Sequence, residues 1–562
     1  MAYFIAVICL FQQPVRFVTS RETASTRRIE HSRLASCFRV PVFLLILIAL
    51  GIQPSLAQKK SSSLGQKLPS PEKIVEKYLK TVGGKKRLAA IRDTTFDWTI
   101  QLNDQTIGVA KTQSAAPASA RSEMTFGNGQ IISAANASSA WSRGLDGELR
   151  TLTGSEAGAA KLQALLDAGH LIGFKKSNVV ARVISIGDLT SEPAFKVEFS
   201  TRAGAKTVYY FSRGTGLITR IDDQARKTTT RFSEYRAEAG VLQPHRVTID
   251  LHGSGQLTLL LSQVTYNAAI SDSVFDPPRT AESLDVPALL REVGRNQDQV
   301  EKRFSEYSLL QKETDREINN RGEVKKETVK TFEVFPIANR APILKLISEN
   351  GAPLSGERAA KEEKRVEDEF LRAERDRDKN EQQEQRRRAE RQRKKAARGK
   401  AEEDDEFEIS QFLKVCEFVS PRHERLRDRD AIVFDFRSRP GFKPSNRQED
   451  LISKLVGVVW IDPADKQVMR LEARLAEGFK MAGGLLLSLR PGAALVMEQT
   501  RMEEGIWLPR LAQINLSVKV LLFAGGEVNK TIEWSDYKHY KGDVGGYKLD
   551  APKTADSADK KP

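Results

Sequence analysis

The sequence predicts an α+β protein made of antiparallel sheet in two consecutive units, with a long charged helix interrupting the second. Three observations carry this. Apolar and polar residues alternate in short runs along most of the chain, the period of a half-buried strand. Twice, at Ser70-Pro71 and at Asp285 with Pro287, a capping residue and an early proline open a helical pattern just ahead of such runs. Residues 357–408 hold 17 basic and 18 acidic side chains, several of them acid-before-base four residues apart, the favourable helical order. A chain of 562 residues, 40% of them hydrophobic, has the length and the apolar content for more than one core.

The first 57 residues read as an export signal. Val42–Leu50 is an unbroken apolar run, preceded by Arg27, Arg28, Arg33 and Arg39 and followed by Ser55-Leu56-Ala57. A basic region, a short apolar core and a small-x-small site together predict cleavage after Ala57 and a periplasmic protein. Counted from Val40 to Ile52, the run is shorter than the ~18–20 residues of a spanning helix; an uncleaved anchor is the alternative. Cys9 and Cys37 lie in this segment, which leaves Cys416 with no disulfide partner. Helical spacing with Ile409, Phe412, Leu413 and Val419 puts Cys416 on an apolar stripe, so it reads as core and not as a reactive thiol.

Residues 58–69 are a polar, flexible leader, and the first folded unit is expected over 70–280. Ile74, Val75, Tyr78, Leu79 and Val82 mark one helical face, stopped by Gly83-Gly84. Strands follow: Phe96/Trp98/Ile100, then Phe195/Val197/Phe199, Val247/Ile249/Leu251 and Leu257/Leu259/Leu261. Between them a lone helix is expected over Lys161–Leu171, with Leu162, Leu165 and Leu166 on one side. The unit closes at Phe275-Asp276-Pro277-Pro278.

The second unit, expected over 285–549, opens on a helix with Leu289, Leu290 and Val293 on one face. Strands return at Val324–Phe335 after an Asn319–Gly322 turn, then at Ile343–Ile347, Ile432/Phe434/Phe436, Val456/Val458/Trp460 and Ile514/Leu516/Val518/Val520. The charged helix, 357–400, lacks a heptad seam and reads as solvated along its whole length. The tail 550–562 is polar and expected to be disordered. The units echo each other: Tyr209–Arg220 resembles Trp460–Arg470, Arg220-Ile221-Asp222 parallels Arg470-Leu471-Glu472, and a glycine-to-proline stretch ends at Pro244 and at Pro509.

Motifs for catalysis or metal binding are missing. Gly84-Lys85-Lys86 has no hydroxyl for a phosphate loop, and Gly127-Asn128-Gly129 is followed by Ile132 where a dinucleotide fingerprint needs its third glycine. The histidines show no metal-ligand spacing. No enzyme, cofactor or metal is expected. The net charge of +15 falls to +11 once residues 1–57, with six arginines and two glutamates, are set aside. Nine basic residues and one acid lie between Arg386 and Lys400, with no aromatic for base stacking. This argues against nucleic acid; the cluster reads as the solvated face of a charged helix, with an anionic membrane surface or an envelope protein as the alternative partner of 386–400.

The order of elements, with Ile74–Ile91, Thr215–Asp222, Tyr235–Val247 and Tyr266–Pro277, resembles the LolA/LolB-like superfamily, the outer membrane lipoprotein-sorting group whose relatives include the MucB/RseB sensors. Gly457–Arg474 and Glu504–Pro509 match more loosely. The resemblance implies two LolA-like antiparallel half-barrels, each with helices over a concave face and an apolar cavity for a lipid or lipoprotein acyl chain. On that basis Leu162, Leu165 and Leu166 are lid candidates, and Phe96, Trp98, Ile100, Phe195, Val197 and Phe199 wall candidates, joined in the second unit by Phe434 and Trp460. Strand parity says which residues share a face, not whether that face is packed or hollow. A sensor or scaffold with filled domains, binding a protein through the charged helix, is the alternative function.

Overall fold

The alternating runs become strands, and the strands collect into two antiparallel sheets. The structure, a computed structural model, describes residues 68–189, 192–251, 255–281, 284–304, 306–319, 324–337, 342–373, 375, 409–481, 487–503, 505–520 and 523–539. The expected export signal, most of the leader, residues 320–322 of the expected turn, the basic cluster 386–400 and the tail lie outside these. From Pro69 onward the described residues belong to one unit.

The first sheet has two arms. Strands β1 (Asp93–Leu102), β2 (Gln105–Ala115), β3 (Ser119–Phe126), β4 (Gly129–Ala135), β5 (Ala140–Arg143) and β6 (Leu149–Thr151) run outward as successive hairpins. Helix α3 (Gly154–Ala168) then crosses to the far edge. Strands β7 (Val180–Leu189), β8 (Glu192–Ser200), β9 (Lys206–Ser212), β10 (Ile218–Asp223), β11 (Thr228–Glu238), β12 (Val241–Leu251) and β13 (Gly255–Tyr266) return until β13 pairs with β1. The edges β6 and β7 do not pair, so the sheet stays open.

The second sheet repeats this order. Strands β14 (Tyr307–Ile318), β15 (Val324–Phe335), β16 (Ile343–Glu349) and β17 (Ala352–Pro353) run outward. Strands β18 (Cys416–Leu426), β19 (Arg429–Ser438), β20 (Leu455–Asp462), β21 (Gln467–Leu475), β24 (Ala494–Arg501), β25 (Trp507–Val520) and β26 (Phe523–His539) return until β26 pairs with β14. A small hairpin, β22 (Phe479–Met481) with β23 (Leu487–Leu489), hangs from β25. Two residue pairs of the sequence echo sit in like positions. Arg220 lies opposite Tyr210, 4.9 Å from its ring centre, and donates to Asp222 at 2.6 Å; Arg470 lies opposite Trp460, at 5.8 Å, and donates to Glu472 at 2.9 Å. Pro244 and Pro509 each sit in the last strand but one.

Helix α1 (Pro71–Thr81) buries Ile74, Val75 and Leu79, as its periodicity requires. Ser70 stands at its N-cap without a side-chain capping bond. Gly83, at φ +137°, ends it, and a Cβ there would stand 2.8 Å from the Gly240 carbonyl oxygen. A short helix α2 (Lys85–Ala89) follows. Helix α3 begins at Gly154, seven residues before the expected Lys161, and ends at Ala168, so Leu171 lies past it. The missed turns, Gly154–Ala160, carry only small and acidic side chains, and Ala157 and Ala164 pack closely on Ala135, Ala140 and Leu152.

In the second unit, Asp285 caps α4 (Val286–Phe304) by accepting from the Ala288 N–H at 3.0 Å. The charged helix α5 (356–373) differs from the solvated rod the composition suggests. Val366, Phe370 and Ala373, spaced i, i+4, i+7, pack on Phe335 and Ile343 or bury nearby. Helix α6 (Ile409–Val415) stops one residue before Cys416, which opens β18. Cys416 is fully buried, and burial pushes its thiol up to about 12, so a core thiol it remains, on a strand and not a helix. Helix α7 (Arg447–Ile452) completes the set.

The sheets meet through the first sheet's edge. Arg422 of β18, wholly buried, donates to Glu424 (2.6 Å), Asp435 (3.0 Å) and the Thr151 hydroxyl of β6 (2.6 Å). Glu424 accepts the Thr151 N–H at 2.7 Å, and Asp435 accepts the Ser139 hydroxyl at 2.5 Å. The free edge of β6 is thus satisfied by side chains of the other unit.

Candidate functional site: a cavity under the crossover helix

The inner face of the first sheet is divided. Over β8–β10 it is packed: Val197, Phe199, Tyr209 and Phe211 meet Ile74, Val75 and Leu79 of α1 and Leu162 and Leu166 of α3. The ring of Phe199 sits edge-on to Phe174 and Tyr209, at 5.5 and 5.1 Å. Over β1–β4 and β10–β13 it is hollow. A cavity of ≈ 630 Å³ opens between these strands and α3, within the ~300–1,000 Å³ range of small-molecule pockets.

The floor of the cavity is apolar: Phe96, Trp98, Phe232, Val247, Ile249 and Leu259. Trp98 satisfies its indole N–H on the Thr112 hydroxyl at 3.0 Å, leaving its ring as wall. The roof is different. Helix α3 turns toward the cavity the stripe Glu156, Ala160, Gln163 and Asp167, followed by His170, spaced four, three, four and three residues apart. Gln163 Nε2 donates to Asp167 Oδ1 at 2.7 Å and to the Tyr209 hydroxyl at 2.9 Å.

Asp167 is an exposed residue by surface area, yet protein lies densely around it, and burial pushes its pKa up to about 6. The Gln163 bond and the positive charge of Arg226 oppose that shift and lose. Burial also pushes the Tyr78, Tyr209 and Tyr235 phenols up and the His170 imidazole down, so all four are neutral near pH 7. The cations along the lining are engaged: Arg121 pairs with Glu123 at 2.6 Å, Arg150 with Glu156 at 3.1 Å and Arg226 with Asp223 at 2.6 Å.

The structure distributes the sequence-derived candidates unequally. Phe96, Trp98 and Leu166 line the cavity. Ile100 is fully buried in the floor cluster without reaching it. Val197, Phe199, Leu162, Leu165 and Phe195 belong to the packed half, so the leucines of α3 anchor the helix and its polar stripe faces the hollow. Phe434 and Trp460 occupy opposite faces of the second sheet. Phe434 lies beside Phe418 at 5.5 Å, while Trp460 is buried with Val433, Val458 and Trp507. On the helix-bearing face there, Phe412 of α6 packs on Phe436 at 4.9 Å. Sequence reading missed Gln163, Asp167 and His170; starting the helix at Gly154 would have shown their common stripe. Among the described residues, no three His, Cys, Asp or Glu side chains gather as a metal site, and no helix is long and apolar enough to cross a membrane.

No family model matches the chain, and no curated protein matches it. Several solved structures are similar. A LolA superfamily protein from Nitrosomonas europaea is 13% identical over 39% of this chain and 100% of its own, with a TM-score of 0.27. A DUF1329 family protein from Desulfovibrio piger is 13% identical over 36% and 96%, with a TM-score of 0.25. MucB in the Pseudomonas aeruginosa MucA/MucB complex is 8% identical over 83% and 99%, with a TM-score of 0.15. The LolA and MucB groups are those the sequence resemblance names.

Proposed function

We propose that the chain is an exported cell-envelope protein that binds a lipid or lipoprotein acyl chain in the cavity under α3, without catalysis. The cavity carries this reading: ≈ 630 Å³ of space with an aromatic and aliphatic floor, beside a core of similar composition that is fully packed. Each methylene hidden there gains ~0.8 kcal/mol over water, so a short stretch of acyl chain supplies a useful affinity. The second unit reads as a copy of the first in strand order. Its helix-bearing face packs Phe412 on Phe436, and Asp435 and Arg474 reach the first unit's β4–β5 turn, at Ser139 and Ala137.

Uptake of a neutral fluorescent lipid probe and native mass spectrometry of protein purified from the periplasm test this. Ala160 lines the cavity from α3, so Ala160→Trp should plug it and abolish uptake while leaving the far-UV circular dichroism unchanged. Lipid-free protein that takes up no probe, or a plugged variant that takes it up normally, sinks the reading. The sensor or scaffold alternative draws on the exposed outer face of α5, whose inner face is anchored by Val366. Deleting 357–400 separates the two: lipid uptake survives under the first and partner capture is lost under the second.

A further inference from the structure

The cavity has a polarity that a bare hydrocarbon would not use. Two buried oxygen atoms on its lining, Gln163 Oε1 and Thr94 Oγ1, have no hydrogen-bond partner among the described residues. Among the described residues the Asp167 carboxylate is bonded only by the neutral Gln163 amide. Its nearest cation by charge effect, Arg226, is held by Asp223 through both its backbone N–H (3.1 Å) and its Nε (2.6 Å). Arg121 and Arg150 are likewise paired. Asp167 also stands in the last turn of α3, where the helix dipole disfavours a negative charge. Neither the helix nor an ion pair serves this exposed carboxylate, which is left to water or to a ligand that donates.

We propose that the cavity selects an amphiphile with a cationic amine head, which enters the cavity and is held by the Asp167 carboxylate, with Gln163 Oε1 as a second acceptor, while its hydrocarbon lies on the Trp98–Leu259 floor. This rests on the reading of the cavity as a lipid site and adds the chemistry of the head group. A fatty-acid head would instead place two carboxylates together in a water-poor space.

The test is displacement of a neutral fluorescent probe from the full chain by three twelve-carbon ligands: dodecylamine, dodecanol and dodecanoate. The wild-type protein should prefer dodecylamine over dodecanol by about tenfold, the scale of a hydrogen bond to a charged group, and should bind dodecanoate worst. Asp167→Asn keeps the shape and should bring dodecylamine to the level of dodecanol with dodecanol unchanged. Dodecanoate binding as well as dodecylamine, or an amine preference that survives Asp167→Asn, overturns the head-group assignment alone. Failure of all three ligands to displace the probe overturns the lipid site and this inference together.

Discussion

Replacing Arg422 with methionine should be the most damaging single change at the joint between the sheets. Arg422 has no exposed surface, and its guanidinium bonds Glu424 at 2.6 Å, Asp435 at 3.0 Å, the Thr151 hydroxyl at 2.6 Å and the Ser420 carbonyl at 2.9 Å. Methionine fills most of the volume but leaves two carboxylates buried without their cation. Removing one partner of a buried pair costs about 3–5 kcal/mol, a large share of the ~5–15 kcal/mol that holds a domain together. The triple change Arg422→Met, Glu424→Gln, Asp435→Asn leaves no stranded charge and should recover part of the loss. Urea unfolding followed by circular dichroism reads both. Thr151 lies two residues before Thr153, the N-cap of α3, so amide exchange across Gly154–Ala168 should also accelerate in the single variant. A loss below ~1 kcal/mol, the worth of an exposed ion pair, would refute the assignment of this cluster as the joint.

Two further outcomes follow from the divided core. Asp167, whose pKa rises from 3.8 to about 6 on folding, favours the folded state only while protonated. Its contribution is present below pH 4 and is lost as pH climbs to 6; Asp167→Asn should remove about 1–2 kcal/mol of that slope, after allowing for the water that screens the carboxyl, as read from urea midpoints between pH 4 and 7. Phe199→Ala, in the packed half, should cost about 3–5 kcal/mol in stability yet leave probe affinity unchanged, whereas equal losses of both would show that the two halves are one cavity.

Strand positions were legible because a period of two survives in a single sequence: the expected Val324–Phe335 strand has the bounds of β15. Helix detection failed where side chains are small or charged. Gly154–Ala160 offers alanines that matter only because strands lie close above them, and in α5 Val366 and Phe370 were outnumbered by their charged neighbours. Cys416 fell at a helix-to-strand junction, where a stripe of period near 3.6 continues by chance into β18. Hollow and packed walls could not be told apart at all. Phe96/Trp98 and Phe195/Val197/Phe199 alternate alike; α1 and the leucines of α3 pack on Val197 and Phe199 of β8, whereas Phe96 and Trp98 of β1 line the cavity. That is a property of distant segments and not of either strand.

The polar roof explains how such a cavity survives without its ligand. The cavity is half open, so its ≈ 630 Å³ is accessible to water. It either closes or holds water. Collapse is resisted because α3 is tied at both sides, by Leu162 and Leu166 to the packed core and by Ala157 and Ala164 to β4–β6. Water needs two to four polar partners apiece, and Glu156, Gln163, Asp167 and His170 provide them along the roof, with Thr94 on β1 facing the same space. A roof of leucines, as a simple greasy lid would have, would deny water those partners and press the helix onto the floor. A donor-bearing head group of the kind proposed above would exchange with that water along the same stripe, and Asp167 would then link the stability of the protein to its choice of ligand.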